Sequence, residues 1–155
     1  MKTMTSVALF GFLLWGCTQS TESDFFSDLE ASETSDSVRY TLTINNTIFQ
    51  LADSLKIKFE VKNLSLSTKE YFFRNVQQFG FKLIDESENI AFFHPRIVSP
   101  AHSHFVLQTG QSKIFSFSYP FKDQNGNFIR CGEYFLMAYL TEGNSPEVGL
   151  RISIK

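Results

Sequence analysis

The sequence predicts an all-β fold, an antiparallel two-sheet sandwich of about eight strands. Three observations support this prediction. After residue 37, short apolar runs alternate with polar residues at period two, polar turns separate the runs at regular spacing, and no run has a helical period. Phenylalanine, which is favoured in strands, occurs 18 times among 155 residues, against 4 prolines. The chain is long enough for one domain with an aromatic core.

The first 17 residues have the pattern of an export signal. Lys2 precedes an apolar run over residues 7–15 that is too short to span a bilayer. The ending Leu14-Trp15-Gly16-Cys17 resembles a bacterial lipoprotein signal, which implies that Cys17 is lipidated and anchors the protein to the cell envelope. Thr18 in place of Asp after the cysteine implies the outer membrane. The alternative is an ordinary secretory signal with a chance cysteine.

Residues 18–37 are predicted to be a flexible acidic tether. They contain six acidic residues, no basic residue and nine Ser or Thr, a composition that buries too little apolar surface to fold. Within them, residues 23–30 begin like a capped helical turn with Phe25, Phe26 and Leu29 on one side. We interpret this stretch as a transient helix or a patch resting on the domain, with a docking motif as the alternative.

Strands are predicted from residue 38 onward. Tyr40, Leu42 and Ile44 alternate with other residues and give the first strand one buried face. The alternation is most regular over residues 55–62, where every second side chain is apolar and the others are lysines and a glutamate. Further strands are predicted over residues 71–73, 79–84, 90–93 and 148–154.

Two more runs, over residues 114–119 and 132–140, are predicted to pair as a hairpin. In the first run, aromatic residues alternate with serines and should share a buried face. The second run is apolar on both faces, so its strand should be central in a sheet. The connecting residues 122–127 contain an Asn-Gly pair, which is a strong turn signal.

The pattern breaks between His94 and Gln108, where two prolines exclude a central strand. Long irregular loops on a rigid sandwich are where binding function tends to lie. We therefore predict a partner-binding loop here. Its candidate residues are His94, Arg96, Ile97, Val98, His102 and His104.

A metal site in this loop is a weaker hypothesis. An extended His102-Ser103-His104 would place two imidazoles on one face, and His94 could add a third ligand, the minimum for a zinc site. No Cys or acidic residue lies between residues 94 and 108, and Met137 is the one methionine of the domain that copper could use. We interpret the histidines as solvated loop residues and expect no cofactor.

Five motifs follow one another over residues 51–140. They are Leu55-x-Ile57-x-Phe59-x-Val61-x-Asn63, Phe79-Gly80-Phe81-x-Leu83-x-Asp85, Leu107-x-x-Gly110-Gln111-Ser112, Asp123-x-x-Gly126 and Gly132-x-Tyr134. Their order resembles that of the BsuPI-type intracellular proteinase inhibitor domain. The resemblance implies an immunoglobulin-like sandwich and, as partner, a subtilisin-like serine protease. Tyr134 stands where such sandwiches often place a corner tyrosine.

An inhibitory segment should be an exposed, extended loop, because protease complexes gain affinity from pre-organisation. Residues 95–100 are the best candidate, since two prolines stiffen them and Arg96 would offer a basic anchor. The alternative is that the prolines end a strand while Ile97 and Val98 dock on the core. A second function left open is an envelope interaction module or scaffold without inhibitory activity.

The sequence disfavours an enzyme and a nucleic-acid binder. It contains no Gly-x-Ser-x-Gly elbow, no His-Glu-x-x-His motif and no phosphate loop. Cys131 is expected to be a semi-buried, inert thiol. From residue 38 onward, 13 Lys and Arg are interleaved with 10 Asp and Glu, whereas a nucleic-acid footprint is clustered.

Overall fold

The computed structural model describes residues 29–97, 99–123 and 125–155. The predicted signal peptide, the lipidation site Cys17, residues 18–28 of the predicted tether and Val98 lie outside this part of the chain. Within it there are eleven strands and no helix, and hence no helix that could cross a membrane. The strands are β1 (Glu30–Ser35), β2 (Val38–Ile44), β3 (Ile48–Phe49), β4 (Leu55–Asn63), β5 (Lys69–Phe73), β6 (Phe79–Asp85), β7 (Ile90–His94), β8 (Ser103–Leu107), β9 (Ser112–Tyr119), β10 (Gly132–Leu140) and β11 (Val148–Ile154).

Two sheets enclose the core. One has the strand order β1-β2-β4-β9, the other has the order β3-β11-β10-β6-β7, and β5 and β8 form a separate two-stranded sheet. Every pairing is antiparallel except that of β3 with β11, which is parallel. The prediction of an antiparallel all-β sandwich is therefore confirmed.

The core lies where the alternating residues of the two sheets meet. The apolar residues of β4 that the sequence singled out are at most 2% exposed, as are Leu42 and Ile44 of β2. Phe81 of β6 faces Phe117 of β9 across the sheets with ring centroids 5.2 Å apart. Many of the phenylalanines thus contribute to an interior of packed aromatic rings.

Tyr134 forms the tyrosine corner that is characteristic of immunoglobulin-like sandwiches. Its hydroxyl donates a hydrogen bond of 2.8 Å to the carbonyl of Arg130, just before β10 begins. Burial raises the pKa of Tyr134, so the hydroxyl keeps its proton and remains a donor. The predicted corner is confirmed.

The predicted tether extends too far along the chain. Residues 30–35 form β1, which pairs with β2 from Glu30↔Thr43 to Ser35↔Val38. Leu29 and Ala31 pack against the core while most of the strand is exposed, so its composition gives little sign of folding. Backbone hydrogen bonds to β2 hold this polar strand at the sheet edge. The domain therefore begins no later than Leu29.

The predicted hairpin of residues 110–140 is wrong in its pairing. β9 pairs with β4, whereas β10 lies between β6 and β11 in the opposite sheet. The connection crosses from one sheet to the other and buries Phe121 and Ile129 on the way. Its Asn-Gly pair makes a local turn, closed by a bridge between Lys122 and Phe128. The central position predicted for residues 132–140 is confirmed.

The irregular stretch is shorter than predicted. β7 continues through His94, and β8 begins at Ser103 and pairs with β5, so the connection between β7 and β8 spans residues 95–102. Phe105 and Leu107 of β8 are buried, with His104 and Val106 facing outward between them. Val106 is apolar although it is exposed, so it conceals the period of two in the sequence.

Candidate protein-binding site

An edge strand and the loop that follows it carry three exposed apolar side chains. β7 is the last strand of the five-stranded sheet, paired with β6. Ile90 and Phe93 of β7 are 57% and 47% exposed, and Ile97 in the loop is 85% exposed. All three line one cleft. We call Ile90, Phe93 and Ile97 the edge patch.

The patch arises from alternation and a bulge within β7. Leu83 of β6 lies opposite Phe92 and Ile84 lies opposite Ile90, so Ala91 is left out of the pairing and Ile90 turns away from the core. Phe92 points into the core, where its ring lies 3.8 Å from that of Tyr119 and 5.6 Å from that of Phe81. Because successive side chains of a strand point to opposite faces, Phe93 must point outward. When two successive residues of an edge strand are both apolar, as Phe92 and Phe93 are, one of the two side chains is left in water. For Phe93 this signal is visible in the sequence, whereas the exposure of Ile90 follows from the bulge. The predicted binding loop included neither residue.

Arg96 is held against the domain. Its guanidinium carbon lies 4.6 Å from the centre of the Phe92 ring, a cation–π distance, and its side chain is half-buried. Asp123 lines the same cleft. Desolvation raises the pKa of that carboxyl, but the N–H groups of Asn127 and Asn125 and the charge of Arg96 bring it below its ordinary value. Arg96 therefore packs on the core aromatics instead of extending as a basic anchor.

The alternative interpretation of this loop expected Ile97 to dock on the core, and the structure does not place it there. It is 85% exposed. The loop beyond it is tied down: the N–H of Ser99 donates to the side-chain carbonyl of Gln77 at 3.0 Å, and the Ser103 hydroxyl donates to the Asn75 carbonyl at 2.6 Å. Ile97 thus projects from a loop whose far end is fixed to the neighbouring 75–78 segment.

The three histidines have separate surroundings. The His94 ring packs on Phe117, with centroids 4.2 Å apart, and burial lowers its pKa. The exposed His104 ring stacks on Phe72 of β5 at 6.1 Å. Among the described residues, which include all three histidines, no group of three His, Cys, Asp or Glu side chains is placed to hold a metal ion. The structure therefore does not assemble His94, His102 and His104 into a site.

Cys131 is exposed, not semi-buried as expected. It lies in the connection just before β10, on a different segment from the edge patch.

No family model matches the chain, and no curated protein matches it. Among solved structures, it is similar to a β-glucosidase from Erythrobacter marinus, with 18% identity, a TM-score of 0.45 and coverage of 74% of this chain and 15% of that one. A β-glucosidase from Listeria innocua gives 17% identity, a TM-score of 0.43 and coverage of 79% and 16%. The alkylpurine DNA glycosylase AlkC from Pseudomonas fluorescens is 7% identical, with a TM-score of 0.48 and coverage of 82% of this chain and 30% of that one.

The chain thus spans less than a third of the length of each of these structures. At such identities and TM-scores they carry no argument about its function. The candidate site has to be judged on its own geometry.

Proposed function

We propose that the chain is a non-enzymatic lipoprotein, anchored through Cys17 to the outer membrane, whose sandwich domain binds another protein through the edge patch. The observation that carries this proposal is the exposure of Ile97 beside Phe93 and Ile90 in one cleft. Grouped apolar side chains on a surface mark interaction sites, because their burial by a partner is favourable. The side of β7 that no described strand covers adds backbone groups that a partner strand could pair with.

A serine proteinase is the first partner class to consider. The resemblance to BsuPI-type domains points to a subtilisin-like enzyme, and a loop fixed at one end costs less entropy to bind than a free one. Since Arg96 packs on Phe92 and Ile97 projects, the side chain offered to a specificity pocket is apolar. Proteases with an apolar pocket should therefore be preferred over trypsin-like ones.

Titration of the purified full chain against subtilisin-like and trypsin-like proteases tests this form of the proposal. We expect stoichiometric inhibition of the first class, and at least a tenfold weakening by Ile97→Asp, because a buried charge without a partner is costly. Leu66→Asp is the matched control, since Leu66 is 96% exposed and lies outside the patch. Cleavage of the chain, or no inhibition, would reject inhibition.

One observation favours the second candidate, an envelope interaction module without inhibitory activity. Ile90 lies at the opposite end of β7 from the loop, roughly 13 Å away along the strand, so the patch is longer than a protease-binding loop requires. Ile90→Asp separates the two functions. It should leave protease inhibition unchanged and abolish pairing of a partner strand with β7.

A further inference from the structure

A groove crosses the outer face of the four-stranded sheet near the start of β1. Its floor is the row Ile44, Ile57 and Phe117, which lie opposite one another on β2, β4 and β9. Their side chains point inward, so the floor is backbone. The flanking outward rows are Thr43, Lys58 and Ser116 on one side, and Asn45, Lys56 and Ser118 on the other. The groove has a volume of about 630 Å³, within the range of ligand sites.

The residues that flank the groove are two lysines and several short polar side chains. Two lysine stems stand over β4, while the short side chains of Thr43, Ser116 and Ser118 leave space beside them. The Lys58 side chain is 51% exposed, and its ammonium is 4.0 Å from Glu60. Lysine stems present apolar methylene groups below a charged head, so this groove suits an aromatic ring accompanied by acidic residues.

The chain enters the described structure at the mouth of this groove. The carbonyl of Leu29 accepts a 3.0 Å hydrogen bond from the N–H of Ile44, the first residue of the floor. Glu30 is paired with Thr43 in the flanking row. The residues that precede Leu29 therefore start beside the groove.

We propose that residues 22–28 of this chain, Glu22-Ser23-Asp24-Phe25-Phe26-Ser27-Asp28, occupy the groove. Neighbouring strands are about 4.8 Å apart, which puts β4 and β9 roughly 10 and 14 Å from β1. At about 3.3 Å per residue, an extended chain carries Phe26 and Phe25 roughly 10 and 13 Å from Leu29. This part of the segment therefore reaches the stretch of groove that the lysines flank, and because successive side chains of an extended chain point to opposite sides, one of the two rings faces into the groove.

Charge complementarity supports the same occupant. Glu22, Asp24 and Asp28 surround the aromatic pair, and the segment contains no basic residue. Lys56 and Lys58 are the charged residues that line the groove. Opposite charges placed on either side of an apolar contact fix its register as well as favouring it.

Docking would set the distance of the domain from the membrane. If Cys17 carries the lipid, the free linker shrinks from residues 18–28 to residues 18–21. Fully extended, these lengths are roughly 36 Å and 13 Å. The docked segment thus acts as a clasp that holds the domain close to the bilayer, and its release would extend the reach of the edge patch.

Lysine labelling of the exported full chain, purified in detergent, tests the clasp. The rate at which an amine reagent modifies each lysine is measured by mass spectrometry, with Lys62 as internal reference because it faces outward on β4 beyond the groove. Replacing both Phe25 and Phe26 with Ala should raise the labelling rates of Lys56 and Lys58 at least threefold. High salt should raise them in the native chain too.

The matched control removes two exposed rings elsewhere, with Phe72→Ala and Phe128→Ala, and should leave Lys56 and Lys58 unchanged. Unchanged rates in the Phe25 and Phe26 variant would overturn the proposal. So would protection of Lys56 and Lys58 that survives in this variant and grows with protein concentration, since a second copy of the chain would then fill the groove.

Discussion

Replacing Phe81 with alanine is expected to lower the free energy of unfolding by about 3–5 kcal/mol, the usual cost of truncating a buried aromatic residue. Phe81 is fully buried, and its ring contacts aromatic residues of both sheets. The rings within 6.2 Å of it are those of Phe79, Phe92, His94, Phe117 and Tyr119. Its loss leaves a cavity that none of these can fill without leaving its own position.

Urea denaturation of the two proteins measures this difference. Phe72→Ala is the control, because the same ring is removed from a side chain that is 70% exposed, and a loss under about 1 kcal/mol is expected there. A domain of this size has roughly 5–15 kcal/mol to lose, so the Phe81 variant should be near unfolding. Equal losses in the two variants would contradict the assignment of Phe81 to the centre of the core.

Asn63→Ala is expected to be almost as destabilising, with a loss of about 3 kcal/mol. The side chain is fully buried at the end of β4. Its amide donates to the carbonyls of Ser67 and Leu107 at 2.8 and 3.0 Å, and its carbonyl accepts from the N–H of Ser65 at 2.9 Å. Alanine leaves these groups unpaired, at roughly 1–3 kcal/mol for each one that stays buried.

Asn45 provides the comparison for Asn63. Its amide donates to the carbonyl of Ser54 at 3.1 Å and its carbonyl accepts from the N–H of Lys56 at 2.7 Å, but both contacts are exposed. Water replaces them when Asn45 is changed to alanine, so we expect a loss of about 1 kcal/mol. Thermal unfolding of both variants checks the difference. If Asn63→Ala costs no more than Asn45→Ala, the buried network does not stabilise the domain.

The fold could be predicted wherever one face of a strand is buried. Burial alternates strictly along β2, β4 and β9, and most apolar side chains of these strands stand at the buried positions, so the period of two can be seen in the sequence. The corner tyrosine was predictable for a similar reason, since Gly132 and Tyr134 are fixed by the local geometry where β10 begins.

Polar strands and long-range pairings could not be predicted in this way. β1 is held by backbone hydrogen bonds, which leave no mark on the choice of side chains. The Asn-Gly turn before Asn127 identifies a change of direction but not the partner of β9, which is β4, some fifty residues earlier. The apolar Phe121 and Ile129, both buried, are the hint within the connection that the chain passes through the core to the other sheet.

The candidate site overlaps the predicted binding loop at Ile97, but the structure changes which other side chains are available there. The loop after His94 was expected to bind a partner, with Arg96 as its anchor. Packing on Phe92 removes Arg96 from that role, since a half-buried guanidinium over an aromatic ring is already satisfied. The exposure of Ile90 depends on the bulge in β7 and that of Ile97 on how the loop leaves the sheet, and both are properties of the folded structure.

Site-specific photo-crosslinking in intact cells tests the central claim most directly. A photoreactive amino acid at Ile97 or Phe93 should give one discrete crosslinked protein, and the same group at Leu66 should give none, because Leu66 is exposed outside the edge patch. A protease in that band would support the inhibitor, and another envelope protein would support the interaction module. If Ile97 and Phe93 give no crosslink, or the same bands as Leu66, the edge patch is not a protein-binding site.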